Sequence, residues 1–195
     1  MVWSIGLINK NNKYKKIGGI NMNTNINIRK MTINGILLAL GALLHQITPA
    51  LGFPMQPDFA IMMLVIIICL NKDYKTALIA SIVIGVFTAL TTKFPGGQAP
   101  NIIDKIVTGN MIYLFFLLLG NKLKDSIKVS IALPIGTFIS GFTFLTSASF
   151  LVGLPGEFTQ LVIAIVVPAA ILNLLIGIVL YRIVIRSLAI NKLEI

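Results

Sequence analysis

Two stretches, "HQITPALGFPMQPDF" at residues 45–59 and "KFPGGQAPNIIDK" at residues 93–105, gather side chains able to do chemistry in an otherwise greasy chain. The first offers His45, Gln46, Gln56 and Asp58. The second offers Lys93, Phe94, Gly96, Gly97, Gln98, Asn101, Asp104 and Lys105. On a helix, Asn101, Asp104, Lys105 and Thr108 share one stripe, opposite Ile102, Ile103, Ile106 and Val107. A carboxylate and an ammonium this close to lipid are costly unless they face a wet cavity or a partner. Adjacent helical positions diverge by about 100°, so Asp104 and Lys105 are not expected to neutralise only each other. Two readings follow: an ion-pair network that anchors a helix end, or the wall of a ligand pocket.

The first stretch favours the pocket. His45 and Thr48 share a helix face, and Pro49, Gly52, Pro54 and Pro57 stop regular helix, which makes a shaped loop. Irregular backbone near membrane depth is tolerated only where protein or a cavity shelters it. Two such segments on one side point to a common chamber, and Pro95-Gly96-Gly97 would let main-chain amides approach a ligand closely. For His45 alone, the simpler reading is a helix-end histidine bonded to a neighbour.

The elements that must position these residues are membrane helices. Hydrophobic residues are 56% of the 195 and charged ones 11%, against a usual quarter charged in soluble domains. About 20 apolar residues cross a hydrocarbon core about 30 Å thick. Six apolar spans are predicted, at 33–51, 57–71, 74–92, 102–120, 128–152 and 159–185. The second is short, so it must tilt little, thin the bilayer or be sheltered by protein. Pro134 and Pro168 fall inside the last two spans and read as kinks, because neighbouring helices can satisfy the freed carbonyls. The expected fold is an all-α integral membrane protein, a bundle of six transmembrane helices at residues 31–195. Residues 1–30, rich in Asn and Lys, read as a disordered basic arm, and Met22 is an alternative start.

Charge sets the expected orientation. All 16 basic residues except Lys93 and Lys105 lie in segments that share one side of a six-pass chain. The positive-inside rule then puts both termini in the cytoplasm and the two polar stretches outside. A net charge of +10 does not point to nucleic acid, because the basic residues sit in the breaks between apolar runs rather than on one face with aromatics. One cysteine, Cys69, allows no intramolecular disulfide, and one histidine with one cysteine cannot make the familiar zinc sites. No P-loop or G-x-S-x-G motif appears, so no enzyme is expected. The enzymatic alternative left by the carboxylates is an intramembrane hydrolase built on Asp58 and Asp104.

Small residues in the last two spans read as packing surfaces: Gly136 with Ser140, Thr137 with Gly141, and Ala169, Ala170 and Gly177. Asn173 reads as an amide bonded to a neighbouring helix or reaching the ligand.

The stretches "LLALGALLHQITPALGFPMQPDF" and "DYKTALIASIVIGVFTALTTKFPGGQAPNIIDK", with the six-span plan, resemble the bacterial tryptophan transporter family (TrpP-type) from about residue 31 to the C-terminus. Proteins of that family resemble the substrate-binding S components of energy-coupling-factor importers. The resemblance implies tryptophan uptake across the plasma membrane, with a coupling membrane subunit and ATPase subunits as partners if the protein is S-type, and it implies no cofactor. A proton-coupled carrier of tryptophan or a related indole, in which Asp58, Asp104 or His45 titrates, is an alternative, as is a membrane subunit without a ligand. Tryptophan needs a cation or amides for its carboxylate, an anion for its ammonium and a flat slot for its ring. Lys93 or Lys105 with the Pro95–Gln98 backbone would take the first, and Asp58 or Asp104 the second. Phe53, Phe59 or Phe94 would flank the ring, and Gln46, Gln56 or Gln98 would accept from the indole N–H.

Overall fold

The computed structural model describes residues 11–48 and 56–191, with side chains from residue 28 onward. The described residues form helices: α1 Asn11–Ile47, α2 Phe59–Asn71, α3 Tyr74–Leu90, α4 Gln98–Leu119, α5 Asp125–Leu151 and α6 Phe158–Ile190. Helix begins at Asn11, inside the segment expected to be an irregular arm. Once the apolar part of α1 is helical, extending it adds one hydrogen bond per residue fixed.

Four helices are long and apolar enough to cross a membrane: Ile28–Ile47 of α1, then α4, α5 and α6; α2 and α3 are shorter. The outward faces are apolar. On α6, Ile171, Leu175, Val179 and Ile183 recur every fourth residue and are all exposed. The polar side chains are inside: Asn101, Asp104, Lys105, Thr108, Thr137, Ser140 and Asn173 are buried. Apolar outside and polar inside is the arrangement for lipid as solvent. The chain is a multi-pass membrane protein.

The shortest helix lies at the centre. Every residue from Ala60 to Cys69 is buried, and α2 packs against α1, α3, α4, α5 and α6. A helix hydrophobic all round belongs in a core. Shelter by protein, one of the expected remedies for its shortness, is present. Its ends are well stopped. Asp58 accepts the Ile61 N–H at 3.1 Å, and Lys72 turns left-handed at φ 53° while its N–H bonds the Ile68 carbonyl.

Glycine sets the spacing between helices at several places. A Cβ at Gly109 would fall on the Ser81 hydroxyl of α3, and one at Gly177 would meet Leu133 of α5. Pro168 does not end α6. Residues Val162–Val166 just before it wind as a π-turn, with the Val167 N–H reaching back to the Val162 carbonyl.

Polar contacts mark two ends of the bundle. Lys30 bonds Asp73, Asn34 and Asn71 exchange amide bonds, and Lys72 bonds Asp125 at one end. His45, Asp58, Lys93, Phe94, Lys105 and Phe144 gather at the other.

Candidate functional site

At that second end a cavity of about 390 Å3 opens between the helices. Its polar wall begins with α4. The helix starts at Gln98 because the Gly97 carbonyl accepts both the Asn101 N–H at 3.0 Å and the Asn101 side-chain amide at 2.8 Å. Three residues on, the stripe turns inward, leaving Asp104 1% and Lys105 2% exposed.

Lys105 is the hub. Its Nζ donates to Asp104 Oδ2 at 2.6 Å, to Asp58 Oδ2 at 2.9 Å and to Ser140 Oγ at 3.3 Å. The other Asp104 oxygen accepts from Thr108 Oγ1 at 3.0 Å. Asp58 is held on both sides: its backbone N–H donates to Asn173 Oδ1 at 2.9 Å, and Asn173 Nδ2 donates to Thr137 Oγ1 at 2.9 Å. Helices α4, α5 and α6 thus meet at the cap of α2. Within this cluster two carboxylates face one ammonium, and Lys93 is the second ammonium that lines the cavity.

His45 lies at the edge of this cluster, its Nδ1 3.5 Å from Asp58 Oδ1. That nitrogen is buried and, among the described residues, has no hydrogen-bond partner. At the mouth, Lys93 Nζ donates to Gln56 Oε1 at 2.7 Å and to the Thr48 carbonyl at 3.3 Å. The remaining wall is apolar. Phe94 and Phe144 meet edge to face, 5.4 Å between ring centres and 88° between planes. Leu145, Leu161, Ile165 and Val166 continue that side. Gly141 and Val166 stand so close that a Cβ at Gly141 would overlap the valine methyls.

Of the residues singled out in the sequence, His45, Gln56, Asp58, Phe94, Asn101, Asp104 and Lys105 line the cavity. Gln46, Gly96, Gly97 and Gln98 do not. Gln46 and Gln98 are exposed. Gly96 takes a left-handed φ of 71° and packs on Val152. The Gly97 N–H is spent on the Phe94 carbonyl at 3.0 Å, and Gly97 caps the start of α4. Phe59 packs against the core, and Phe53 lies outside the described residues. Thr137, Ser140 and Gly141, expected only to pack helices, line the cavity, as do Thr92, Phe144 and Leu145. Asn173 bonds neighbouring elements rather than lining it. Among the described residues, no three His, Cys, Asp or Glu side chains gather to hold a metal.

A multi-pass bundle with a sheltered cavity, polar on one wall and aromatic on another, has the build of a small-molecule carrier. The family described as "Tryptophan transporter TrpP" matches residues 27–189, and the chain belongs to that family. It is a transport protein, not an enzyme. A probable tryptophan transport protein of Clostridium perfringens is 50% identical over 176 residues, covering 86% of this chain and 97% of that protein. One from Clostridium acetobutylicum is 45% identical (84% and 95% covered), and one from Bacillus subtilis is 41% identical (80% and 90%). No solved structure matches the chain significantly.

Proposed function

We propose that the chain takes tryptophan from outside the cell into the cavity and delivers it across the plasma membrane. The observation that carries this reading is the charge ratio of the Asp58–Lys105–Asp104 cluster. One ammonium among two carboxylates leaves room for a second cation, and the substrate's own ammonium supplies it at Asp58. Lys93 at the mouth takes the carboxylate, and Phe94 with Phe144 receives the indole. The names and high identity of the relatives support the substrate.

In this reading six helices cross the bilayer. The two short ones, α2 and α3, reach across because longer neighbours shelter them. The basic residues at the Lys30 and Lys72 end support a cytoplasmic assignment for that end, and so for both termini. Capture, closure of the 45–59 and 93–105 segments over the solute and opening toward the cytoplasm then follow in order.

Equilibrium binding of labelled tryptophan to the purified full chain tests the site. Saturable binding that Asp58→Asn weakens supports it. No binding by the intact, folded chain overturns it and leaves a subunit without a ligand.

A second reading, proton coupling, has its own observation in the buried His45 nitrogen near Asp58, which has no hydrogen-bond partner among the described residues. Uptake by the chain alone in liposomes, abolished by a protonophore, would favour it. Uptake only with added ATPase and coupling subunits would favour an S-type component.

A further inference from the structure

About 20 Å along α2 from Asp58, at 1.5 Å per residue, a second and smaller cavity of about 150 Å3 is lined by Lys72, Tyr113, Phe116, Leu117, Gly120, Asn121 and Lys128. Its charges invert those of the first. Asp125 accepts from Lys72 through Oδ2 and from Lys128 through Oδ1, both at 2.9 Å. One carboxylate between two ammonium groups leaves an excess of positive charge. The Lys128 side chain is only 3% exposed, and among the described residues Asp125 is its one hydrogen-bond acceptor. A lysine has three donors, so this buried ammonium needs further acceptors, and the cavity is where they fit.

The surroundings say what kind. Lys122 and Lys124 lie exposed in the connection just before Asp125, which raises the positive potential around the opening. One lining residue, Leu117, is 62% exposed, and Leu118 beside it is 70% exposed. The cavity therefore opens where the lipid-facing surface of α4 ends. Cations in a pocket between helices, at the border of an apolar belt, suit a phosphate group carried on an acyl-chain anchor.

We propose that this cavity binds a phosphate oxyanion between Lys72 and Lys128, as the headgroup phosphate of an anionic phospholipid or as free phosphate. The lipid form places the phosphate in the cavity and its acyl chains along Leu117 and Leu118. Binding at this site keeps Lys128 satisfied without consuming the Asp125 bond that joins α2 to α5.

Native mass spectrometry of the full chain, released from micelles that mix phosphatidylglycerol with phosphatidylcholine, reads the lipid arm. The wild type should retain phosphatidylglycerol preferentially. Lys72→Gln, at a half-exposed side chain, should lower that retention about fivefold. Lys75→Gln, an exposed lysine outside the cavity, should leave it unchanged. Asp125→Asn should raise retention by removing the competing negative charge, which a merely structural role for the cluster would not do. Inorganic phosphate is titrated in the second arm: displacement of the lipid at millimolar levels assigns the site to free phosphate, and resistance assigns it to lipid. Equal retention of the two lipids with no phosphate effect overturns the proposal. Equal losses in Lys72→Gln and Lys75→Gln overturn it too, because they would show general surface charge only.

Discussion

The ends of α2 carry charge clusters of opposite composition. At Asp58 two carboxylates share the ammonium of Lys105 beside a cavity of about 390 Å3. At Lys72 two ammonium groups share the carboxylate of Asp125 beside one of about 150 Å3. Burial differs in part: the side chains of Lys105 and Lys128 are both sealed, whereas that of Lys72 is half exposed. A buried group whose partner is removed leaves an uncompensated charge and costs far more than an exposed one. Lys105 should therefore govern folding and substrate together, whereas Lys72 should tune association with little effect on either. In each, the unmatched sign names the kind of charge still to be received.

Lys105→Met gives the largest expected effect. It strands two carboxylates, and breaking a buried pair costs about 3–5 kcal/mol. Thermal melting in detergent should fall steeply and tryptophan binding should vanish. Adding Asp104→Asn should recover much of the melting temperature without restoring binding; recovered binding would show that the ammonium is not part of the site.

Asp58→Asn comes next. The amide can still accept the Ile61 N–H, so α2 keeps its cap, but a charged hydrogen bond worth about 1.5–3 kcal/mol is lost. Calorimetry should show tryptophan affinity down by more than about tenfold. An unchanged affinity would assign the substrate ammonium elsewhere.

Phe144→Leu keeps the wall apolar but removes its ring edge, a contribution of about 0.5–1.5 kcal/mol. Tryptophan affinity should drop by up to about tenfold, while melting shifts little. A large loss of stability instead would make the ring a packing element.

Asp73→Asn is the smallest. Burial pushes the Asp73 carboxyl up, yet the Thr76 N–H and the Lys30 ammonium outweigh that and hold it below its ordinary 3.8. A depressed carboxyl stabilises the fold above its unfolded value and loses that contribution as pH falls through the folded one. Wild type should thus be slightly more stable than Asp73→Asn at neutral pH, by no more than about 1 kcal/mol. The gap should close in acid, as melting curves across pH would record.

What could be read in the sequence follows from cost. Asp104 and Lys105 stand out because charge inside an apolar helix demands a reason, and their divergence around α4 already called for an outside partner. That the partner is Asp58, 47 residues away, depends on the tertiary fold. Phe144 and Leu145 look the same in a membrane helix whether they face lipid, a neighbour or a cavity. Thr137 and Ser140 were misread for a related reason, since small residues serve close packing and a cavity wall alike. In the glycine turn, composition does not distinguish amides held within the turn from free ones: the Gly97 N–H is bonded to the Phe94 carbonyl, and its carbonyl is committed to starting α4. The span at 57–71 is legible in the sequence as a short one, and the thirteen residues of α2 are explained by its position in the core.

Where α5 passes α6, the calibre of the chamber depends on one hydrogen atom, the one that Gly141 carries in place of a methyl. Val166 already fills the space that a larger residue would need. A narrower passage cannot be made there by adding bulk without prying two helices apart. A larger residue at this one point therefore requires a change in the spacing of α5 and α6, whereas the shape of the chamber elsewhere is set by its side chains.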